Sequence, residues 1–198
     1  MIEWLEHIDQ QLVLLINGLH RNWLDELMWL VSGKLTWIPL YISILGLVYA
    51  QFGLKKLLLF FGLILIAVGI SDFISSGIIK PFVSRYRPSH NLLLSPKLHF
   101  YIENSGNIYK GGTYGFVSSH AANFAAISLF TGLIFYPSKR WVLYILLFLT
   151  FLVSCSRVYL GVHYVSDVIC GALIGSLVSF TLWYYAWNKR KKPVSFDN

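Results

Sequence analysis

The sequence predicts an all-α fold: a polytopic membrane bundle of five helices, or six, preceded by interfacial helices. Three observations carry this. Of 198 residues, 56% are hydrophobic and only 13% charged, against about a quarter charged in an ordinary soluble domain. The apolar residues fall into runs near the roughly 20 residues that a helix needs to span a bilayer. Polar and titratable residues gather at the ends of those runs, where burial would be costly without a partner or a function.

The first run, Leu35 to Phe52, carries no charge, and the second, Leu57 to Ile79, is interrupted only by Asp72. The third and fourth, Ala121 to Tyr136 and Trp141 to Ser156, are short, and the fifth, Tyr164 to Trp187, holds Asp167 near its start. Short runs suffice where the outer turn is polar and functional. His120 precedes the third run and Arg157 follows the fourth, so a hairpin of the two places both at one surface. Lys80 closes the second run and His163 opens the fifth on that same face.

Residues 1–34 mix acidic residues with Trp4, Trp23 and Trp29 around an apolar stripe of Leu12, Val13, Leu15 and Ile16. That pattern predicts one or two helices lying in the interface, a sixth crossing being the alternative; neither implies chemistry. The membrane domain is then residues 35–188, and residues 189–198 form a basic tail. The loop 88–117 is long enough to predict a function, an interfacial cap without specific contacts being the alternative, and its aromatics, Phe100, Tyr101, Tyr109 and Tyr114, argue for order. No removable signal peptide is evident, and Cys155 and Cys170 are packing residues.

Net charge +7 raises nucleic acid as a partner, but the cations do not form one exposed polar face. Lys55-Lys56, Lys139-Arg140 and the tail lie in short segments on the side away from the titratable cluster. Positive charge in short loops marks the cytoplasmic side. The C-terminus is therefore expected in the cytoplasm and the cluster outside the inner or plasma membrane. No obligate protein partner is evident.

The cluster comprises Lys80 with Arg87-Pro88, Ser118-Ser119-His120, and Ser156-Arg157 with His163 and Asp167. Taken residue by residue, Lys80, Arg87 and Arg157 suit phosphate or carboxylate oxygens, or are cations that reach out to headgroups. The serines stand at a helix N-terminus, an anion site or a plain N-cap. His163 and Asp167, four apart on a predicted helix, form a base or nucleophile with its orienting carboxylate, or a polar pair between helices. No metal-ligand spacing is present, and no metal or cofactor is expected. Together these groups suit phosphoryl transfer; a membrane phosphate-binding protein or transporter is the non-enzymatic alternative.

The spacings Lys-x6-Arg-Pro, Ser-x-His and Ser-Arg-x5-His-x3-Asp resemble those of the type-2 phosphatidic acid phosphatase superfamily, which includes membrane lipid phosphatases and vanadium haloperoxidases. The resemblance covers residues 35–187. Val117 and Ser119 depart from the family's usual Pro-Ser-Gly-His. The resemblance implies a phosphatase in which His163 attacks phosphorus, Asp167 orients its ring, and His120 serves as acid and then base. Lys80, Arg87, Ser118, Ser119 and Arg157 would hold the phosphoryl oxygens. The implied substrate is a lipid phosphate, with undecaprenyl diphosphate favoured by analogy. Phosphatidylglycerophosphate, phosphatidate and lipid A 1-phosphate are the alternatives.

Overall fold

The computed structural model describes residues 2–189, so the basic tail beyond residue 189 lies outside the described residues. The described residues form helices and loops with no β-strand, only two isolated bridges. Helix α1 (Ile2–Asn17) and α2 (Asn22–Ser32) precede α3 (Ile38–Asp72). A π-helical stretch, Phe73–Ile79, leads into the short α4 (Lys80–Val83). After the long loop come α5 (Ser119–Phe135), α6 (Arg140–Tyr159) and α7 (Val165–Leu182). The helical stretches Leu35–Val83, Arg140–Tyr159 and Val165–Asn188 are long and apolar enough to cross a membrane, and Ser119–Phe135 is a shorter apolar helix.

Helix α3 is two arms. Gly53, at φ 74° and ψ 176°, breaks it, a conformation open to glycine because it has no Cβ. The arms run back along each other. Trp37 and Tyr41 pack on Phe124, and Asp72 meets Asn123 from the second arm. At the opposite end Phe52 packs on Phe135 and Trp187, while Lys139 Nζ donates to Gln51 Oε1 at 3.1 Å. The first two apolar runs are thus one helical hairpin.

Helix α5 is buried over most of its surface, as a largely apolar helix should be. It lies very close to α7, and the sequence permits this at two glycines. A Cβ on Gly171 would sit 2.4 Å from the Ser118 carbonyl oxygen, and one on Gly175 would sit 1.9 Å from that of Ala122. This contact brings the start of α5 alongside the start of α7. At the far end Phe60, Phe130, Phe135, Leu146 and Trp187 fill the core.

Helices α1 and α2 lie against the site end of the bundle rather than through it. Val13 packs with Leu94, Leu98, Val158 and Tyr164, and Trp29 stacks on Tyr101 at 4.5 Å. Trp4, Leu15, Trp23 and Leu30 remain exposed, which suits an interfacial position. Asn17, closing α1, donates to the carbonyls of His99 at 2.8 Å and Tyr159 at 2.7 Å, and accepts from His99 N at 2.8 Å. One amide thus ties the loop to the end of α6. With Leu94, Leu98 and Tyr101 buried, the loop is an ordered cap.

Two boundaries differ from the sequence expectation. Ser118 Oγ accepts from Ala121 N and starts α5 at Ser119, so His120 lies inside the first turn. Helix α6 continues to Tyr159, placing Arg157 in its last turn. The π-helical stretch also has a cause. Pro81 cannot donate to the carbonyl four residues earlier, at Gly77, and its ring crowds it; a widened turn relieves both.

The α5–α7 contact should be intolerant of added atoms. Gly175→Ala is expected to lower the midpoint of thermal unfolding in detergent and to depress activity, an overpacking cost of about 1–3 kcal/mol. Gly62→Ala, with nothing within 4 Å of the new Cβ, should leave both unchanged. Equal midpoints for the two variants would contradict the close approach.

Candidate active site

Asp167 organises the site from the third residue of α7. Its Oδ2 accepts from Tyr164 N at 3.0 Å and from His163 Nδ1 at 3.2 Å. His163 is therefore not one helical turn from Asp167 on a common helix, as the sequence predicted. It stands in the turn ahead of α7, and Asp167 reaches back as a helix-capping residue. The arrangement puts the ring proton on Nδ1 and leaves Nε2 with a lone pair. Arg87 NH1 lies 3.0 Å from that nitrogen. His163 is only 1% exposed and Asp167 fully buried. Burial, then the cations Arg87, Arg157 and Lys80, push the His163 imidazole well below its ordinary pKa. The shift favours the neutral form, which a nucleophile requires.

A cavity of about 560 Å³ opens beside this ring. Lys80, Arg87, Ser119, His120 and His163 line it together, although they come from four segments of the chain. Arg87 is fixed by donating from Nε to the Tyr114 carbonyl at 3.0 Å and from NH1 to that of Val162 at 3.1 Å. Ser119 Oγ joins Ser76 Oγ at 2.7 Å and accepts from Lys80 Nζ at 3.2 Å. The N-terminus of α5, whose first N–H groups lack helical partners, points at the same place. A phosphoryl group here would meet two cationic side chains, a helix N-terminus and an imidazole lone pair.

Two predicted phosphate ligands stand elsewhere. Ser118 is buried, and its side chain caps α5 while its N–H donates to the Asp167 carbonyl at 2.9 Å. Arg157 lies behind the cavity wall, where it donates to Ser32 Oγ and, at 2.9 Å, to Tyr109 OH; its Nε has no partner. From there it contributes charge.

Arg85, Asp9 and Ser166 were missed by the sequence reading. Arg85 NH1 donates to Asp167 Oδ1 at 3.2 Å and Ser166 Oγ at 2.8 Å, and NH2 to Asp9 Oδ2 at 2.9 Å. Its guanidinium lies 3.8 Å over the Tyr164 ring. Asp9 also accepts from Ser166 N at 2.9 Å and from Ser166 Oγ. So α1, expected to carry no chemistry, clamps the arginine that balances Asp167. Arg85 could have been noticed: it lies two residues before Arg87 in an extended stretch, where alternate side chains share a side. Asp9 offered no local signal.

This network predicts positioning roles. Asp9→Asn and Arg85→Gln should lower kcat about 10- to 100-fold with KM little changed, since a charge-assisted hydrogen bond is worth about 1.5–3 kcal/mol. Arg85→Lys should recover part of that loss. By NMR, the His163 imidazole of the free protein should titrate below the ordinary value of about 6.5. Arg87→Gln removes a cation and should move that titration to higher pH. An ordinary titration unmoved by Arg87→Gln would contradict the electrostatics described.

The model of the PAP2 superfamily matches residues 56–191. The chain is 33% identical over 188 residues to the lipid A 4'-phosphatase of Porphyromonas gingivalis, covering 93% of this chain and 77% of that protein. It is 34% identical over 186 residues to the lipid A 4'-phosphatase of Bacteroides thetaiotaomicron, covering 94% and 80%. Among solved structures it superposes on a transmembrane PAP2-type phosphatidylglycerolphosphate phosphatase from Bacillus subtilis. The TM-score is 0.70 at 21% identity, over 96% of this chain and 89% of the other. Motif spacing, helical architecture and both sequence comparisons agree: the chain belongs to the PAP2 superfamily.

Proposed function

We propose that the protein is a membrane lipid phosphatase that hydrolyses a phosphate monoester on an acylated sugar lipid of the lipid A type, releasing phosphate through a phosphohistidine. One observation carries the chemistry: an Asp167-held imidazole whose other ring nitrogen faces Arg87, in a cavity shared with Lys80 and His120. The substrate class is supported by the two lipid A 4'-phosphatases, which match nearly the whole chain.

In the first step His163 Nε2 forms a bond to phosphorus as the ester P–O bond breaks. His120 gives its proton to the departing oxygen. Arg87 stays held by Tyr114 and Val162, and a phosphoryl oxygen replaces Nε2 as acceptor of the NH1 proton that faces it, while Lys80 and the α5 N-terminus share their charge. In the second step water attacks phosphorus, His120 takes its proton, and the P–N bond breaks to free phosphate and restore His163. Cationic side chains meet the developing charge, so the reaction is proposed to run without a metal. The membrane carries five crossings in this reading, with α1 and α2 at the outer interface, the site extracytoplasmic and the C-terminus cytoplasmic.

Undecaprenyl diphosphate, favoured by analogy from the sequence, is singled out neither by the cavity nor by the relatives. It enters the test as a competitor, with phosphatidylglycerophosphate and phosphatidate. Phosphate release in mixed micelles should give the highest kcat/KM with a lipid A phosphate monoester. EDTA should not change the rate. His163→Ala should abolish turnover, and His120→Ala should slow it by about 10²–10⁴. Preference for undecaprenyl diphosphate would overturn the substrate. Activity lost in EDTA and restored by a divalent ion would overturn the metal-free mechanism.

A further inference from the structure

The cavity holds one cation that the mechanism does not use. Lys34, in the link between α2 and α3, lines it together with Lys80, Arg87 and His120. It is exposed, and none of the ion pairs among the described residues includes it. It belongs to none of the motifs, and it closes the N-terminal segment expected from the sequence to carry no chemistry.

Packing fixes which part of the cavity Lys34 reaches. The turn Leu35–Trp37 follows it and leads into the first arm of α3. Trp37 packs edge-on against Phe124 of α5, ring centroids 5.0 Å apart, and Phe52 packs on Phe135. That arm therefore runs in the same direction as α5, start beside start. One tight turn back from Trp37 is Lys34, and one turn back from Phe124 is His120. Lys34 thus begins level with His120, on a long and flexible stem. Its charge acts on His120 more strongly than that of Arg87 does.

In the proposed mechanism His163 attacks from one side of phosphorus. The ester oxygen leaves from the other side, beside His120, because attacking and departing atoms lie in line. Arg87 faces the His163 ring at 3.0 Å and Lys80 is bonded to Ser119 at 3.2 Å, so these two serve the phosphoryl oxygens. A cation level with His120 meets the departing oxygen instead, where negative charge develops until the proton arrives. The plainer role for an exposed lysine beside a membrane is contact with lipid headgroups.

We infer that Lys34 Nζ donates a hydrogen bond to the departing ester oxygen and shares with His120 the stabilisation of its charge. The inference rests on the phosphatase reading above and adds a catalytic residue to it. His120 supplies the proton that the oxygen keeps, and Lys34 leaves the step unchanged.

The test compares phenyl phosphate, p-nitrophenyl phosphate and a lipid A phosphate monoester in mixed micelles. p-Nitrophenolate departs readily without help, phenolate less so and a sugar alkoxide least. kcat/KM covers the steps up to departure of that oxygen and so reads the effect. Lys34→Met keeps the stem and removes the charge. It should lower kcat/KM about tenfold for phenyl phosphate and at least as much for the lipid, but less than about threefold for p-nitrophenyl phosphate. Equal losses on the two aryl esters would mean that Lys34 serves the phosphoryl group, and would overturn the inference. Loss on the lipid alone marks a headgroup contact, and no loss on any substrate marks a bystander; either result overturns it too. If the wild-type protein hydrolyses none of the three, the phosphatase reading itself fails.

Discussion

The structure depends on how one buried carboxylate is satisfied. Asp167 has no exposed surface, and an unpaired charge there would cost several kcal/mol. Its two oxygens accept from the Tyr164 backbone, the His163 ring and the Arg85 guanidinium. Its own carbonyl accepts from Ser118 N, at the start of α5. Through Arg85 the same residue is joined to Asp9 on α1. Four segments distant in sequence are therefore tied together through one residue. The bonds that remove the penalty of burying it also fix the tautomer of the proposed nucleophile and set α5 against α7. In the proposed mechanism one carboxylate serves both stability and catalysis.

Around that centre the chemistry is graded along the cavity. Cations and imidazoles occupy the end where a phosphoryl group would sit, with Arg157 behind the wall adding charge. Asp72 and Asn123, bonded to each other, follow; Val68, Phe124 and Ile127 lie beside them. The order suits a molecule with a charged head, a polar junction and a hydrocarbon tail. The interfacial helices complete this end of the bundle. Asn17 holds the loop to α6, Asp9 holds Arg85, and Ser32 holds Arg157.

Much of this was legible in the sequence, because it is written in local patterns. Apolar run lengths placed the helical arms within a few residues, and the motif spacings brought Lys80, Arg87, Ser119, His120 and His163 to one cavity. What escaped was set by long-range geometry. No periodicity shows that Asp9 will meet Ser166. Ser118 spends its side chain on the α5 cap, the plainer of the two readings open in the sequence. His163 and Asp167 are spaced as helical neighbours, yet the helix begins only at Val165, because Asp167 accepts from the Tyr164 N–H that precedes it. Asp72 was visible as a lone charge in an apolar run. Its partner came only once α5 had placed Asn123 opposite.

The central claim is that phosphorus is bonded to His163 Nε2 during turnover. It is tested most directly by rapid quenching of the His120→Asn variant with an aryl phosphate labelled in its phosphoryl group, whose leaving group needs no acid, followed by mapping of the labelled peptide. With the acid–base group gone, hydrolysis of the intermediate should be slow enough for it to accumulate. The account predicts an acid-labile, base-stable phosphoryl group on the imidazole nitrogen of His163 that faces Arg87. Turnover without any phosphoenzyme, with inversion at a chirally labelled phosphorus, would mean that water attacks directly. That result would contradict the account.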